Sequence, residues 1–294
     1  MMRIKVGTRG SKLALAQAEE AKRELERLGL DVELVIIKTK GDIHREIPVE
    51  KLGKGVFVKE IERELLEGRI DVAVHSSKDM LSELPEGLEV AAYLKRKDPS
   101  DCLVTRKGGK LRELKEGARI GTSSLRRAFQ ILERRVDLEI VPIRGNLDTR
   151  LRKLWGGVCD ALVVAYSGLL RLGMESLASE IFDPYRFLPS PGQGALALEM
   201  RAGDQIASLV KSIDHPPTRA EVEAEKSFLK ALGGGCRKAI GAYGRFKGGE
   251  VHLKGILYLE GERFEAEGEG ENPEELGRWV AKEILRRTGG RFIS

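Results

Sequence analysis

Cysteine is scarce in this chain: three in 294 residues, Cys102, Cys159 and Cys236, with no two close enough to form a Cys-x-x-Cys pair. That spacing argues against both a zinc pinch and a disulfide framework. Aromatic residues make up 5%, and 51 basic residues against 46 acidic ones leave a net charge of only +5. An excess that small does not imply nucleic-acid binding, so any basic function must come from local clustering. No apolar run approaches the ~18–20 residues of a membrane span. The opening Met-Met-Arg-Ile-Lys-Val enters a strand pattern without the apolar stretch of ~7–15 residues found in a signal peptide. No long block of one charge sign is present either. The 33% charged residues are of interspersed sign, which excludes general disorder. The expectation is a soluble cytoplasmic protein with no membrane or nucleic-acid partner, long enough for two or three domains at ~100–200 residues each.

What is present is an alternation of short β-branched runs with amphipathic stretches. Residues 3–8 read as a strand, 11–28 as a helix with Leu13, Ala18, Ala21, Leu25 and Leu28 inward, 32–38 as a strand, 56–66 as a helix and 70–75 as a strand. This βαβ succession favours a mainly parallel sheet covered by helices. A second run has strands at 102–105, 119–121, 138–141 and 161–165, with helices at 123–134 and 147–155. The two runs echo each other: Val6-Gly7-Thr8-Arg9-Gly10-Ser11 with Ile120-Gly121-Thr122-Ser123-Ser124, and Gly68 to Val74 with Gly157 to Val163. Two similarly built α/β lobes are expected, with ligands beyond the carboxyl ends of the strands, in a cleft between lobes. The prolines and glycines of 188–194 mark a crossover, and His215-Pro216-Pro217 opens a third unit: a helix at 218–232, three strands over 240–267 and a helix at 273–287.

Four clusters carry possible chemistry. In Gly121-Thr122-Ser123-Ser124-Leu125-Arg126-Arg127 a strand ends and a helix begins, so free N–H groups, hydroxyls and two forked guanidiniums meet where an anion is favoured. A plain serine cap followed by solvated arginines accounts for the serine equally well. Residues 119–153 hold nine basic residues against four acidic ones, an excess equal to that of the whole chain. With Arg144 at a strand end, Arg150 nearby and Arg9 in the matching loop of the first lobe, the natural complement is a ligand with several carboxylates or phosphates. Arg134 and Arg135 are expected on a solvated helix end. His75-Ser76-Ser77-Lys78-Asp79 places a carboxylate beside a lysine at the end of a strand, suited to stabilising a cation or moving a proton; a surface ion pair in a turn is the simpler account, with His75 a hydrogen-bonding loop residue. Gly233-Gly234-Gly235-Cys236 presents a cysteine on a loop that a bulky group can approach, or else a glycine C-cap followed by a buried thiol. Cys102 and Cys159, in apolar strands, are expected to be inert. The Gly/Lys stretch 39–55 is a candidate lid that lacks P-loop spacing.

Taken together these strings resemble porphobilinogen deaminase, the hydroxymethylbilane synthase family, over nearly the whole chain. The matching segments include Gly7 to Ala14, Gly55 to Glu60, Asp71 to Asp79, Gly121 to Arg127, Arg144-Gly145-Asn146, Gly168 to Gly173, Pro191 to Ala195 and Gly234-Gly235-Cys236. The resemblance implies an α/β fold of two lobes like type II periplasmic binding proteins, with mixed sheets, plus a small C-terminal α+β domain. The implied domains are 1–95 with 194–214, 98–190 and 217–294. It also implies an enzyme that joins four porphobilinogen molecules head to tail, releasing ammonia and hydroxymethylbilane, on a dipyrromethane cofactor held by a thioether to Cys236. By resemblance, Lys78, Thr122, Ser123, Ser124, Arg126 and Arg127 hold the cofactor and its carboxylates. Arg9, Ser11, Arg144, Arg150 and Arg171 position substrate, Phe57 packs near the cofactor and Asp79 is catalytic. No metal is implied, and the family is usually monomeric. Met80-Leu81 after Asp79, and Arg237-Lys238 after Cys236, depart from the family's usual residues. The alternative is a non-catalytic two-lobed binding protein for a polycarboxylate ligand, against which the absent signal peptide and the Gly-Gly-Gly-Cys loop argue.

Overall fold

The computed structural model describes residues 2–39, 55, 58–81, 83–234, 239–289 and 291. The chain divides into two compact units, Met1–Lys97 with Gly194–Ala220 and Asp98–Gln193 with Glu221–Ser294. In the first unit, β1 (Met2–Thr8) turns Ile4 and Val6 inward and Arg3 and Lys5 outward, the alternation of a half-buried strand. Ser11 caps α1 (Lys12–Arg27), whose Ala14, Ala18, Ala21 and Leu25 recur at helical spacing and are buried. Then come β2 (Leu30–Ile36), α2 (Lys59–Leu66), β3 (Val72–Ser76) and β4 (Leu88–Tyr93).

The second unit begins with β5 (Asp101–Thr105), β6 (Arg119–Gly121), α3 (Leu125–Leu132), β7 (Glu139–Val141), α4 (Leu147–Trp155), β8 (Ala161–Ala165), α5 (Tyr166–Arg171) and β9 (Glu180–Ile181). The chain then returns to the first unit as β10 (Leu196–Arg201) and α6 (Ala207–Lys211). Helix α7 (Pro216–Ala231) leads to β11 (Ala239–Lys247), β12 (Glu250–Leu259), β13 (Glu262–Gly270) and α8 (Pro273–Arg287).

The two five-stranded sheets share one topology. Their orders are β2-β1-β3-β10-β4 and β7-β6-β8-β5-β9. In each, the first three strands are parallel, and the fourth, the first strand formed after the chain enters that unit, runs antiparallel. The sheets are therefore mixed, as the family resemblance implies, whereas the βαβ succession by itself favours a mainly parallel sheet. The echo in the sequence proves to be an echo in register. Val6 pairs with Val72 and Gly7 with Ala73, while Ile120 pairs with Ala161 and Gly121 with Leu162. The carboxylate of Asp71 accepts the N–H of Lys5 at 2.7 Å, and that of Asp160 accepts the N–H of Arg119 at 2.9 Å, at equivalent positions. Each lobe has its own core: one around Val6, Leu25, Val72 and Leu198, the other around Leu103, Ile120, Ile131 and Val163.

Strands β11, β12 and β13 form a three-stranded antiparallel sheet joined by two-residue turns, Gly248-Gly249 and Glu260-Gly261. All four turn residues have positive φ, the requirement of the tight hairpin turn that matches strand twist. Residues with strong helix preference occupy β4 (Leu-Glu-Val-Ala-Ala-Tyr) and β10 (Leu-Ala-Leu-Glu-Met-Arg), for which the sequence pattern predicts no strand; pairing of β10 on both edges, with β3 and with β4, overrides local propensity.

Candidate functional site

In the first unit, the loop after β1 holds Arg9, half-buried, and Ser11, whose hydroxyl accepts the N–H of Ala14 at 3.2 Å. Ser11 is thus occupied as a helix cap. Buried Thr8 donates its hydroxyl to the carbonyl of Ala14, 3.2 Å away, and fixes the same loop. After β3 the chain makes one 3-10 turn, Ser77–Asp79. That turn is pinned at both ends: Ser77 N–H donates to the carbonyl of Ala195 at 3.0 Å and Met80 N–H to the carbonyl of Ser77 at 3.2 Å. Lys78 is half-buried and Asp79 is exposed, so the aspartate offers a solvent-facing carboxylate on a short, anchored turn.

His75 is not a loop residue. It lies in β3, 5% exposed, and its Nε2 stands 3.0 Å from Oε2 of Glu199 on β10, which is fully buried. Glu62 of α2 is buried in the same unit; burial raises its carboxyl pKa, Glu199 adds to the effect, and His75 and Lys59 oppose it. One carboxylate oxygen each of Glu62 and Glu199, and the hydroxyl of Ser77, are buried without a partner among the described residues.

In the second unit the strand ends converge on basic groups. Ser124 caps α3, accepting the N–H of Arg127 at 3.4 Å, and Thr122 accepts the N–H of Ser124 at 3.1 Å. Ser123, exposed, donates its hydroxyl to the carbonyl of Ile143 at 2.9 Å and so ties the loop after β6 to the loop after β7 that holds Arg144. Arg150 donates from Nε to the carbonyl of Gly145 at 2.7 Å, and Lys153 to the carbonyl of Arg144 at 3.2 Å, which fixes the Arg144-Gly145-Asn146 loop from α4. Gly145 has a φ of 110°, open only to glycine at little cost. Arg171 ends α5.

Arg126 and Arg127 are buried, not solvated. Both donate to Asp101 at the start of β5, Arg126 Nη1 at 2.7 Å and Arg127 Nη2 at 2.6 Å. The two guanidiniums outweigh the burial that opposes ionisation and hold the Asp101 carboxyl well below the usual range. Two positive charges face one negative charge, so the cluster carries one net positive charge. Asp101 also accepts from Gln193 Nε2 at 2.9 Å. Sequence reading missed Asp101; the only signal was an acidic residue opening an otherwise apolar strand. Arg134 donates to the carbonyl of Gln130 in the last turn of α3, while Arg135 is a structural brace, reaching the carbonyls of Leu111, Arg112 and Leu114.

Cys102 and Cys159 are buried, and burial pushes the Cys102 thiol up to about 12 and raises that of Cys159, which keeps both protonated and inert. Gly233 and Gly234 end α7 in a Schellman motif, Gly233 N–H donating to the carbonyl of Lys230 and Gly234 N–H to that of Leu229. Cys236, Phe57 and residues 40–54 of the expected lid lie outside the described residues. Among the described residues, no group of three His, Cys, Asp or Glu side chains could hold a metal.

Residues 4–208 match the family model described as "porphobilinogen deaminase, dipyromethane cofactor binding domain", and residues 219–286 match the model of the porphobilinogen deaminase C-terminal domain. The porphobilinogen deaminase of Nitratidesulfovibrio vulgaris strain DP4 is 47% identical, covering 97% of this chain and 94% of that one. That of Syntrophobacter fumaroxidans is 45% identical over 99% of this chain and 96% of its own length. Among solved structures, the methionine-binding protein MetQ gives a TM-score of 0.46 at 16% identity, over 72% of this chain and 89% of that one. By family model and by sequence identity, the chain belongs to the porphobilinogen deaminase family, transferases of tetrapyrrole biosynthesis that act on porphobilinogen with a dipyrromethane cofactor.

Proposed function

We propose that Asp79 is the catalytic group and that Cys236 carries the dipyrromethane through a thioether. The observation that carries the first assignment is the exposed carboxylate of Asp79 on a turn held rigid by Ser77 and Met80. When bound, the dipyrromethane supplies a primer whose free pyrrole α-carbon is the nucleophile, so the protein needs no nucleophilic side chain for elongation. The residues present suit such a group: each pyrrole unit brings an acetate and a propionate, and the cluster of Arg126, Arg127 and Asp101 keeps one uncompensated positive charge behind the hydroxyls of Thr122, Ser123 and Ser124. Lys78 adds a further cation on the turn that bears Asp79.

In each addition the carbon–nitrogen bond of porphobilinogen breaks and the electron pair leaves with ammonia, giving a cationic azafulvene. Asp79 stabilises that cation by its charge and then accepts the proton lost from the α-carbon. Arg9, Ser11, Arg144, Arg150 and Arg171 receive the carboxylates of the incoming ring or the growing chain, and Phe57 packs against the cofactor. Four additions and hydrolysis release hydroxymethylbilane. With Cys102 and Cys159 buried and protonated, Cys236 is the remaining cysteine for the thioether. The protein works as a cytoplasmic monomer with no membrane or nucleic-acid partner, in three domains: 1–95 with 194–214, 98–190 and 217–294. No described helix is long and apolar enough to cross a membrane.

Incubation with porphobilinogen, product identification and intact mass test this together. Wild type should yield hydroxymethylbilane and carry an adduct of dipyrromethane mass. Asp79→Asn should fold and keep the adduct but turn over at least ~10²-fold more slowly. Near-normal product formation by that variant removes Asp79 from the mechanism, and an active protein with unmodified Cys236 removes the thioether.

A further inference from the structure

The turn that bears Asp79 is tied to β10 through the backbone. Leu196 and Ala197 pair with Ser76 and His75 at the end of β3, and the N–H of Ser77 donates to the carbonyl of Ala195 at 3.0 Å. A side-chain tie crosses the same two strands: Nε2 of His75 stands 3.0 Å from Oε2 of Glu199, with both residues buried. The register sets Ala197 opposite His75, so Glu199, two residues on, lies on the same face of the sheet as the imidazole. Helix α2 covers that face; its Ile61 and Leu65 share a core with Ala73 of β3, and its Glu62 is buried as well.

This group is more polar than its one bond requires. Oε1 of Glu199, Oε1 of Glu62 and the hydroxyl of Ser77 are buried without a partner among the described residues, and Ser77 opens the turn that ends at Asp79. A buried polar atom left unbonded costs about 1–3 kcal/mol, which an apolar filling of the same space avoids. Burial raises the carboxyl pKa of Glu62, Glu199 adds to the rise, and His75 and Lys59 oppose it, so a proton on Glu62 relieves the repulsion between the two acids. The other charged side chains of the neighbouring strands are engaged elsewhere: Arg201 of β10 donates to the carbonyl of Leu65 at the far end of α2, and Arg3 and Lys5 of β1 are exposed.

We infer that Glu199, His75 and Glu62 are positioning residues for Asp79: the Glu199–His75 pair braces the end of β3 through side chains, and Glu62 seats α2 against that pair. This rests on the reading that Asp79 is catalytic. The three residues act on the substrate only through the turn. Its placement holds while Glu62 is neutral and is disturbed when both acids are ionised, because two like charges then share a site shielded from water.

The test uses the full chain loaded with its cofactor, checked by intact mass, with steady-state kinetics on porphobilinogen across pH. Glu199→Gln keeps an acceptor for His75 and loses the charge. It should stay folded and loaded, with kcat roughly tenfold or more lower and KM within about twofold, because a displaced Asp79 slows turnover more than it weakens ground-state binding. Glu62→Gln imitates the neutral acid and should move the alkaline fall in kcat up by about one pH unit or more. If Glu199→Gln does not fold, His75→Leu combined with Glu199→Leu removes the pair as a unit and should show the same split between kcat and KM. A wild-type kcat in the loaded Glu199→Gln or double variant, whatever its unfolding temperature, reduces the pair to a structural one and overturns the inference. An alkaline limb that Glu62→Gln leaves in place overturns it too, and decides the matter if neither of the other variants folds. Near-normal turnover by Asp79→Asn instead overturns the reading on which the inference rests.

Discussion

Gly121 shows how much a single residue decides. A Cβ there would lie 2.6 Å from Leu162 Cδ2, 2.7 Å from Ile143 Cδ1 and 2.8 Å from Cys159 Sγ, so the sheet closes on the very strand that presents Thr122 to Ser124. Gly121→Ala should cost about 1–3 kcal/mol of stability by overpacking, read from the urea midpoint. Gly7 is its counterpart in the first unit, crowded by Ile70 and Ile37. That both glycines precede Thr was visible in the sequence; that each has no room for a side chain was not. The arginines tell the same story. Their charge and their place at a helix start were legible, but the acid that neutralises one of them lies 25 residues upstream and is brought to them only by the pairing of β5 with β8.

Among elements, β3, β10 and α2 enclose the most unusual group of side chains outside the arginine cluster. His75 on β3 faces Glu199 on β10; Glu62 and Lys59 come from α2, and Ser77 from the turn that bears Asp79. A carboxyl whose pKa is raised on folding makes the folded state bind more protons than the unfolded state between the ordinary carboxylate value and the raised one. Stability should therefore fall as pH rises through that window. Glu62→Gln, a neutral isostere of the protonated acid, should flatten that slope and make the protein more stable above the window. Urea midpoints from about pH 4 to pH 8 check this; an unchanged slope would mean that Glu62 does not take up the proton. The helices Leu147–Trp155 and Pro273–Arg287 have the bounds their periodicity and caps predict, because Gly156 and the Asn272-Pro273 start are local signals. Strands β4 and β10 escaped notice because their leucines, alanines and glutamates are helix formers held extended by neighbours remote in sequence.

At the scale of the whole molecule, the chain's return and its C-terminal sheet are joined through one carboxylate. Glu225 of α7, fully buried, accepts the N–H of Gly192 at 2.6 Å and that of Gly244 at 2.7 Å. Glu225→Ala should strand both donors and lower stability by roughly 2–5 kcal/mol, with Glu225→Gln losing less because one acceptor oxygen remains; thermal unfolding of the three proteins measures the difference. The net charge of +5 also acquires a location at this scale. The excess of residues 119–153 divides between guanidiniums that brace loops, as at Arg119, Arg135 and Arg150, and the pair Arg126 and Arg127 that shares the single carboxylate of Asp101.

By itself the sequence determined the two-fold internal echo, the bounds of the helices Leu147–Trp155 and Pro273–Arg287, the inertness of Cys102 and Cys159 and, through strings kept in order along the chain, the family. These are local or linear properties: caps, periodicities and short runs at strand ends. Only the tertiary structure decided that His75 is interior and that Arg126 and Arg127 are buried around Asp101. The reason is that burial and hydrogen-bond partnership depend on segments far apart in the chain. Asp101, Val163, Leu188 and Gln193 meet two arginines around one carboxylate, and no window of the sequence contains them all.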